Sequence, residues 1–195
     1  MSKKVYPVRI PRHANGIRAQ ESRTGTGRSW RAREWMHRLE AMGLKGRLGR
    51  GRNYAVSGQV VAMEISGGRV TAKVQGTRPE PYTVTIDFRR PAEPERRRLV
   101  AALRGEPMLV ARLLADDLPT DVERLFRDVG CDLFPGGKLA PGKYDVTTAC
   151  SCPDYANPCK HCVAALLILG EEIARRPATL VELRGVALEE LYDEN

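Results

Sequence analysis

The 195-residue chain contains no run of eighteen apolar residues, and its opening Met1-Ser2-Lys3-Lys4 leads into prolines and arginines, with no apolar signal core. These absences argue against a membrane span and a secretory leader and predict a cytoplasmic protein. Cysteines number only five, an odd count, with four of them between positions 150 and 162. That is poor material for a disulfide framework and suits a metal site in a reducing compartment. Histidines number only three; His13 and His37 have no partners at metal spacing and read as surface or basic-patch residues, and the two tryptophans read as core or interface anchors ahead of base-stacking platforms. No nucleophile–base pair, phosphate-cradling glycine loop or pair of carboxylates stands out, which leaves a catalytic reading and a small-molecule substrate without support. A hydrophobic content of 42% is enough for a folded core.

Acidic residues are also scarce where basic ones are dense. Residues 1–52 hold fourteen Lys and Arg against three Asp and Glu, whereas residues 53–195 hold eighteen against twenty-one. The whole excess behind the net charge of +8 is therefore N-terminal, the footprint of a polyanion binder whose cations displace counterions from phosphates. Residues 1–28, polar and glycine-containing, read as a flexible basic arm. From Ser29, a plausible N-cap, Trp30, Trp35, Leu39 and Met42 share one helical face, and Gly43 supplies the stop. Arg31 and Arg38 lie on the other face. A second basic cluster, Lys45 to Arg52, has glycines between its cations that let backbone approach phosphate closely; the alternative is an ordinary flexible loop between helix and sheet. Candidate phosphate contacts are Arg28, Arg31, Arg38, Lys45, Arg47, Arg50 and Arg52.

Strand signals follow at Tyr54–Ile65, Val70–Gly76 and Tyr82–Phe88, with Gly67-Gly68 as a hairpin turn. They predict a three-stranded antiparallel sheet covered by the two tryptophans. Residues 91–130 carry helical periodicity, with Thr120-Asp121-Val122-Glu123 reading as a capping box. The fold class is therefore α+β, organised as an arm (1–28), a helix with its sheet (29–90), a helical scaffold (91–130) and a C-terminal metal module (131–195).

That module centres on Cys150-Ser151-Cys152-Pro153-Asp154-Tyr155-Ala156-Asn157-Pro158-Cys159-Lys160-His161-Cys162. In an extended segment alternate side chains leave the same face, so Cys150 and Cys152 can reach one ion. Cys159 and His161 stand where Pro158 and the apolar run to Leu169 signal a helix start. Three thiolates and an imidazole suit one tetrahedral zinc with no position left for substrate water, hence a structural site. Cys162 is an alternative to His161 as fourth ligand, and Cys159-x-x-Cys162 at a helix start also has the form of a redox pair, which would make a thiol-disulfide oxidoreductase. Cys131, beside a glycine, reads as a buried packing residue.

The order Cys-x-Cys, short loop, Cys-x-His resembles the SWIM zinc finger, and Arg176-Pro177, Leu183-Arg184-Gly185 and Leu133-Phe134-Pro135 look like the flanks of its bacterial stand-alone form. Cys162 departs from the apolar residue usual there. The resemblance implies binding to DNA or protein and, for the bacterial form, partnership with a Swi/Snf-type helicase-like ATPase. The expectation is thus a zinc-containing, non-enzymatic nucleic-acid-binding accessory protein, with DNA ahead of RNA. Its alternative is a protein–protein adaptor on a transcription or translation assembly.

Overall fold

In a computed structural model, residues 10–20, 30–140 and 143–192 are described. The sheet has four antiparallel strands in the order β1 (Val60–Ser66), β2 (Arg69–Val74), β3 (Tyr82–Phe88) and β6 (Val146–Cys150). The expected hairpin is present, with Gly67 and Gly68 both at positive φ, the pairing that a tight turn between right-twisted strands requires. A strand-like run from Tyr144 to Thr148, ahead of Cys150, is expected from the sequence, but its place as the fourth strand of this sheet is not. It places Cys150 opposite Val84 and Val146 opposite Phe88, so the metal module's first strand is the edge of the N-terminal sheet. A small ribbon, β4 (Lys138–Ala140) and β5 (Lys143–Tyr144), precedes it.

Two other expectations change. Lys45–Arg52 is no loop, and the strand does not begin at Tyr54: Lys45–Val56 is a helix, α2. Leu44, Leu48, Gly51 and Ala55 are buried at helical spacing. A Cβ on Gly51 would fall 2.3 Å from a Val163 methyl, so this glycine lets two helix backbones approach closely. Residues 10–20, within the expected arm, run beside α2 and β1, with Ile17 N–H donating to Val60 O at 2.7 Å and Ala19 N–H to Ala55 O at 3.1 Å.

Between the sheet and the helices α1 (Trp30–Ala41) and α2 lies α6 (Lys160–Arg175). Every residue from His161 to Gly170 is buried, as expected of a helix that is apolar all round. Trp35, 1% exposed, donates its indole N–H to Leu166 O at 2.9 Å and packs against Phe88. Gly170 makes room for its ring. Trp30 instead stays partly exposed against Phe134, so one tryptophan of the two lies in the core. The remaining helices, α3 (Glu93–Arg104), α4 (Pro107–Leu114) and α5 (Thr120–Asp128), pack on one another. Thr120 is the first residue of α5, with Pro119 at the cap position and no side-chain capping bond, so the expected capping box does not form. Ser29, the expected cap of α1, lies outside the described residues.

A buried ion pair fastens the C-terminal end to the sheet. Arg184, 1% exposed and just after α7 (Thr179–Leu183), reaches Asp145 Oδ2 at 2.6 Å, Arg89 O at 2.7 Å and Leu133 O at 3.2 Å. The other carboxylate oxygen of Asp145 accepts Gly136 N–H at 2.7 Å. The pair thereby joins the end of β3, the loop before β4, the start of β6 and the end of α7. No helix among the described residues is long and apolar enough to cross a membrane.

Candidate metal centre

β6 delivers the first two ligands. Its ladder with β3 continues past Cys150, because Ser151 N–H donates to Thr83 O and Thr83 N–H donates to Ser151 Oγ, both at 3.0 Å. Ser151 is thus held toward β3. The loop back to the helix is pinned by Asn157, whose side-chain amide donates to Thr148 O and whose Oδ1 accepts the Thr148 hydroxyl, each at 2.6 Å. Cys159 follows in extended conformation at the N-cap of α6, and His161 enters its first turn.

The ligand atoms of Cys150, Cys152, Cys159 and His161 all lie within 4.8 Å of one another. Cys152 Sγ to Cys159 Sγ is 3.6 Å, Cys159 Sγ to His161 Nδ1 is 3.6 Å, and Cys150 Sγ to His161 Nδ1 is 3.8 Å. A tetrahedron with its corners about 2.0–2.3 Å from a central zinc has edges of about 3.3–3.8 Å, so the donor set fits the ion. The imidazole offers Nδ1 to the thiols and is held edge-on by Tyr54 and at a tilt by Tyr82, with ring centroids 5.1 and 4.8 Å away.

Electrostatics explain why a cation belongs here. The Cys159 thiol is pushed well below its ordinary range by hydrogen bonds from Cys150 and Cys162, while Cys150, hydrogen-bonded to Cys159, is pushed up. Burial raises Cys152 as well. Without a metal the cluster thus favours a single thiolate on Cys159, and three thiolates become compatible only around a dication.

Cys162 is close but stands apart from this tetrad. Its Sγ is 3.7 Å from Cys159 Sγ, and its thiol points to Ala149 O at 3.8 Å, a group that a ligand would have no reason to contact. Cys162→Ala is therefore expected to keep one zinc per chain by elemental analysis. Loss of the metal would make Cys162 a ligand. Cys131 is buried as expected, and burial raises its thiol pKa.

The basic candidates are spread over two helices. Arg38 is engaged with Glu34 at 2.6 Å, and the Arg31 guanidinium lies 6.0 Å from the centre of the Trp30 ring. On α2, at about 100° per residue, Arg47 and Arg50 fall on one flank of the buried stripe and Arg52 on the opposite flank. Arg50 is exposed, Arg47 and Arg52 half-buried, and the Arg52 Nε is enclosed with no hydrogen-bond partner. The cluster that reads as one patch in sequence is therefore divided by its helix. Arg28 and the Lys45 side chain lie outside the described residues.

Comparison with known proteins agrees with the site. The SWIM zinc finger family model matches residues 143–170, which contain β6, all four ligands and the first part of α6. Over 176 residues, 90% of this chain, the sequence is 35% identical to "Uncharacterized protein Rv2102" of Mycobacterium tuberculosis. The matched part is 62% of that relative's length, so the chain spans less than two thirds of it. No solved structure matches the chain. Residues 143–170 thus form a SWIM-type zinc finger in which Cys150, Cys152, Cys159 and His161 are positioned to bind one zinc ion.

Proposed function

We propose that this is a non-enzymatic accessory protein that binds nucleic acid, DNA ahead of RNA, and works with a Swi/Snf-type helicase-like ATPase. The observation that supports it is the placement of Arg47 and Arg50 on the outer flank of α2, a helix packed lengthwise on the finger's own α6. A rigid helix holds the two cations at fixed spacing, which a flexible tail does not, and zinc binding at one end of α6 supports the surface that presents them. The ATPase partnership draws on the resemblance of the finger and its flanks to bacterial stand-alone SWIM proteins.

Duplex binding measured against salt tests the reading. Each phosphate contact contributes about 0.9 to the slope of log K against log salt. Arg47→Gln with Arg50→Gln is expected to weaken binding and flatten the slope by about 2 units, while Arg52→Gln leaves it close to wild type. An unchanged slope in the double variant would remove α2 from the interface.

A further inference from the structure

Beside the zinc site, between the start of α6 and the turn after β2, is an open cleft of about 290 Å³. Its walls include Tyr54, Tyr82, Arg78, Lys160, Asp154 and His161. Four features give it a chemical character. The Lys160 ammonium lies 5.4 Å from the Tyr54 ring centre and the Arg78 guanidinium 5.7 Å from that of Tyr82. Neither cation has an acidic partner among the described residues, so both charges are available at the mouth. The acid at the rim, Asp154, is turned into its own loop, where Oδ1 accepts Ala156 N–H at 3.1 Å. Finally, His161 is 3% exposed and its Nε2 has no hydrogen-bond partner.

The His161 Nε2 is enclosed beside the cleft wall. Nδ1 faces the thiols, so the ring proton belongs on Nε2, on the opposite edge of the imidazole and beside Gly76, next in sequence to two residues of the cleft wall. A metal-bound histidine normally gives this N–H to a carboxylate, carbonyl or water, and no group among the described residues accepts it. The same wall holds the first turn of a sixteen-residue helix, whose N–H groups and positive end favour an anion. Next to Asp154 stands Tyr155, fully exposed. A fully exposed aromatic ring, next in sequence to a residue of a cleft that holds two unpaired cations, offers what an unpaired nucleotide needs: charge for the phosphate and a face for the base.

We propose that this cleft seats a phosphate of an unpaired nucleic-acid strand between Lys160 and Arg78, with Tyr155 stacking on a neighbouring base. The proposal rests on the nucleic-acid reading above and deepens it, giving the protein a single-strand site at the finger in addition to the α2 flank. On α2, Arg47 and Arg50 share their flank with Tyr54, which forms one wall of the cleft. A strand leaving the cleft along that flank meets both arginines.

The test uses zinc-loaded full chain, fluorescein-labelled (dT)10 as the probe, and free thymidine monophosphate and inorganic phosphate as competitors. Arg78→Gln with Lys160→Gln is expected to weaken (dT)10 binding at least tenfold with zinc content unchanged, and Tyr155→Ala to weaken it about tenfold. Both phosphate competitors should act only at far higher concentration than the strand. Wild-type affinity for (dT)10 in the Arg78/Lys160 variant would overturn the cleft site, and if the Arg47/Arg50 variant still lost duplex binding, the wider function would survive. Tight, Arg78- and Lys160-dependent binding of thymidine monophosphate with no binding of (dT)10 would also overturn it, assigning the cleft to a free nucleotide. Wild-type protein that binds neither strand nor duplex would remove both readings together.

Discussion

Cys159→Ala should abolish zinc binding and unfold far more than the finger loop. Structural zinc in small fingers contributes about 10–16 kcal/mol of apparent binding free energy at neutral pH, comparable with the whole stability of an ordinary domain, about 5–15 kcal/mol. In this protein the ligands are not confined to a peripheral knuckle. Cys150 ends a strand of the four-stranded sheet, and Cys159 and His161 begin the helix that forms the centre of the core. Removing the thiol that most favours ionisation leaves three donors and takes away the junction of those two elements. The expected result is no zinc by elemental analysis, loss of much of the far-ultraviolet circular dichroism, and rapid proteolysis reaching back into residues 60–88. Chelation of the wild type should give the same end point reversibly under reducing conditions. A variant that retained one zinc and wild-type protease resistance would show that the ligand set has been misassigned.

Arg184→Ala is expected to be the next most damaging change, and it touches neither zinc nor any surface. The guanidinium is enclosed with Asp145 at 2.6 Å and also serves two backbone carbonyls. Deleting one partner of a buried pair typically costs about 3–5 kcal/mol, because the remaining charge stays dehydrated without a counterion. Here the stranded group is the Asp145 carboxylate, 6% exposed, which keeps the Gly136 N–H as a hydrogen-bond donor. Denaturant unfolding of the zinc-loaded protein should show the lowered midpoint with an unchanged m-value. Asp145→Asn together with Arg184→Met should recover part of the loss, since no lone charge remains. Equal midpoints for wild type and Arg184→Ala would mean that the pair adds nothing to stability.

The zinc ligands were legible because their chemistry and spacing are local: two extended cysteines, a proline-bounded loop and a helix start lie within thirteen consecutive residues. The β1–β2 hairpin was legible for the same reason, through Gly67-Gly68. What failed was information carried over distance. α2 contains three glycines, Gly46, Gly49 and Gly51, and of these only Gly51 is required by close packing, against Val163, a partner more than a hundred residues away. Intrinsic propensity reads such a stretch as loop, and burial against α6 overrides it. β6 pairs with β3 across a long intervening segment and, with only Val146 of its five residues buried, carries too weak an alternation to reveal that partner. Arg184 and Asp145 look like ordinary surface charges in sequence; only the fold makes them a pair. The cleft was missed because Tyr54, the stretch from Arg78 to Tyr82, and Lys160 come from three separate segments.

The order of the sheet also bears on how the chain is made. β3 leaves the ribosome with one edge paired to β2 and the other waiting for Val146–Cys150, nearly sixty residues behind Phe88. At about 5–20 residues per second that edge stays open for several seconds. During this interval the apolar faces of α1 and α2 also lack α6, the helix that covers them. The nascent N-terminal half therefore has an exposed strand edge and uncovered apolar helices, the two features that recruit holding chaperones and neighbouring chains. Arrival of the finger closes both, so zinc supply at that moment influences the yield of folded protein as well as its later stability.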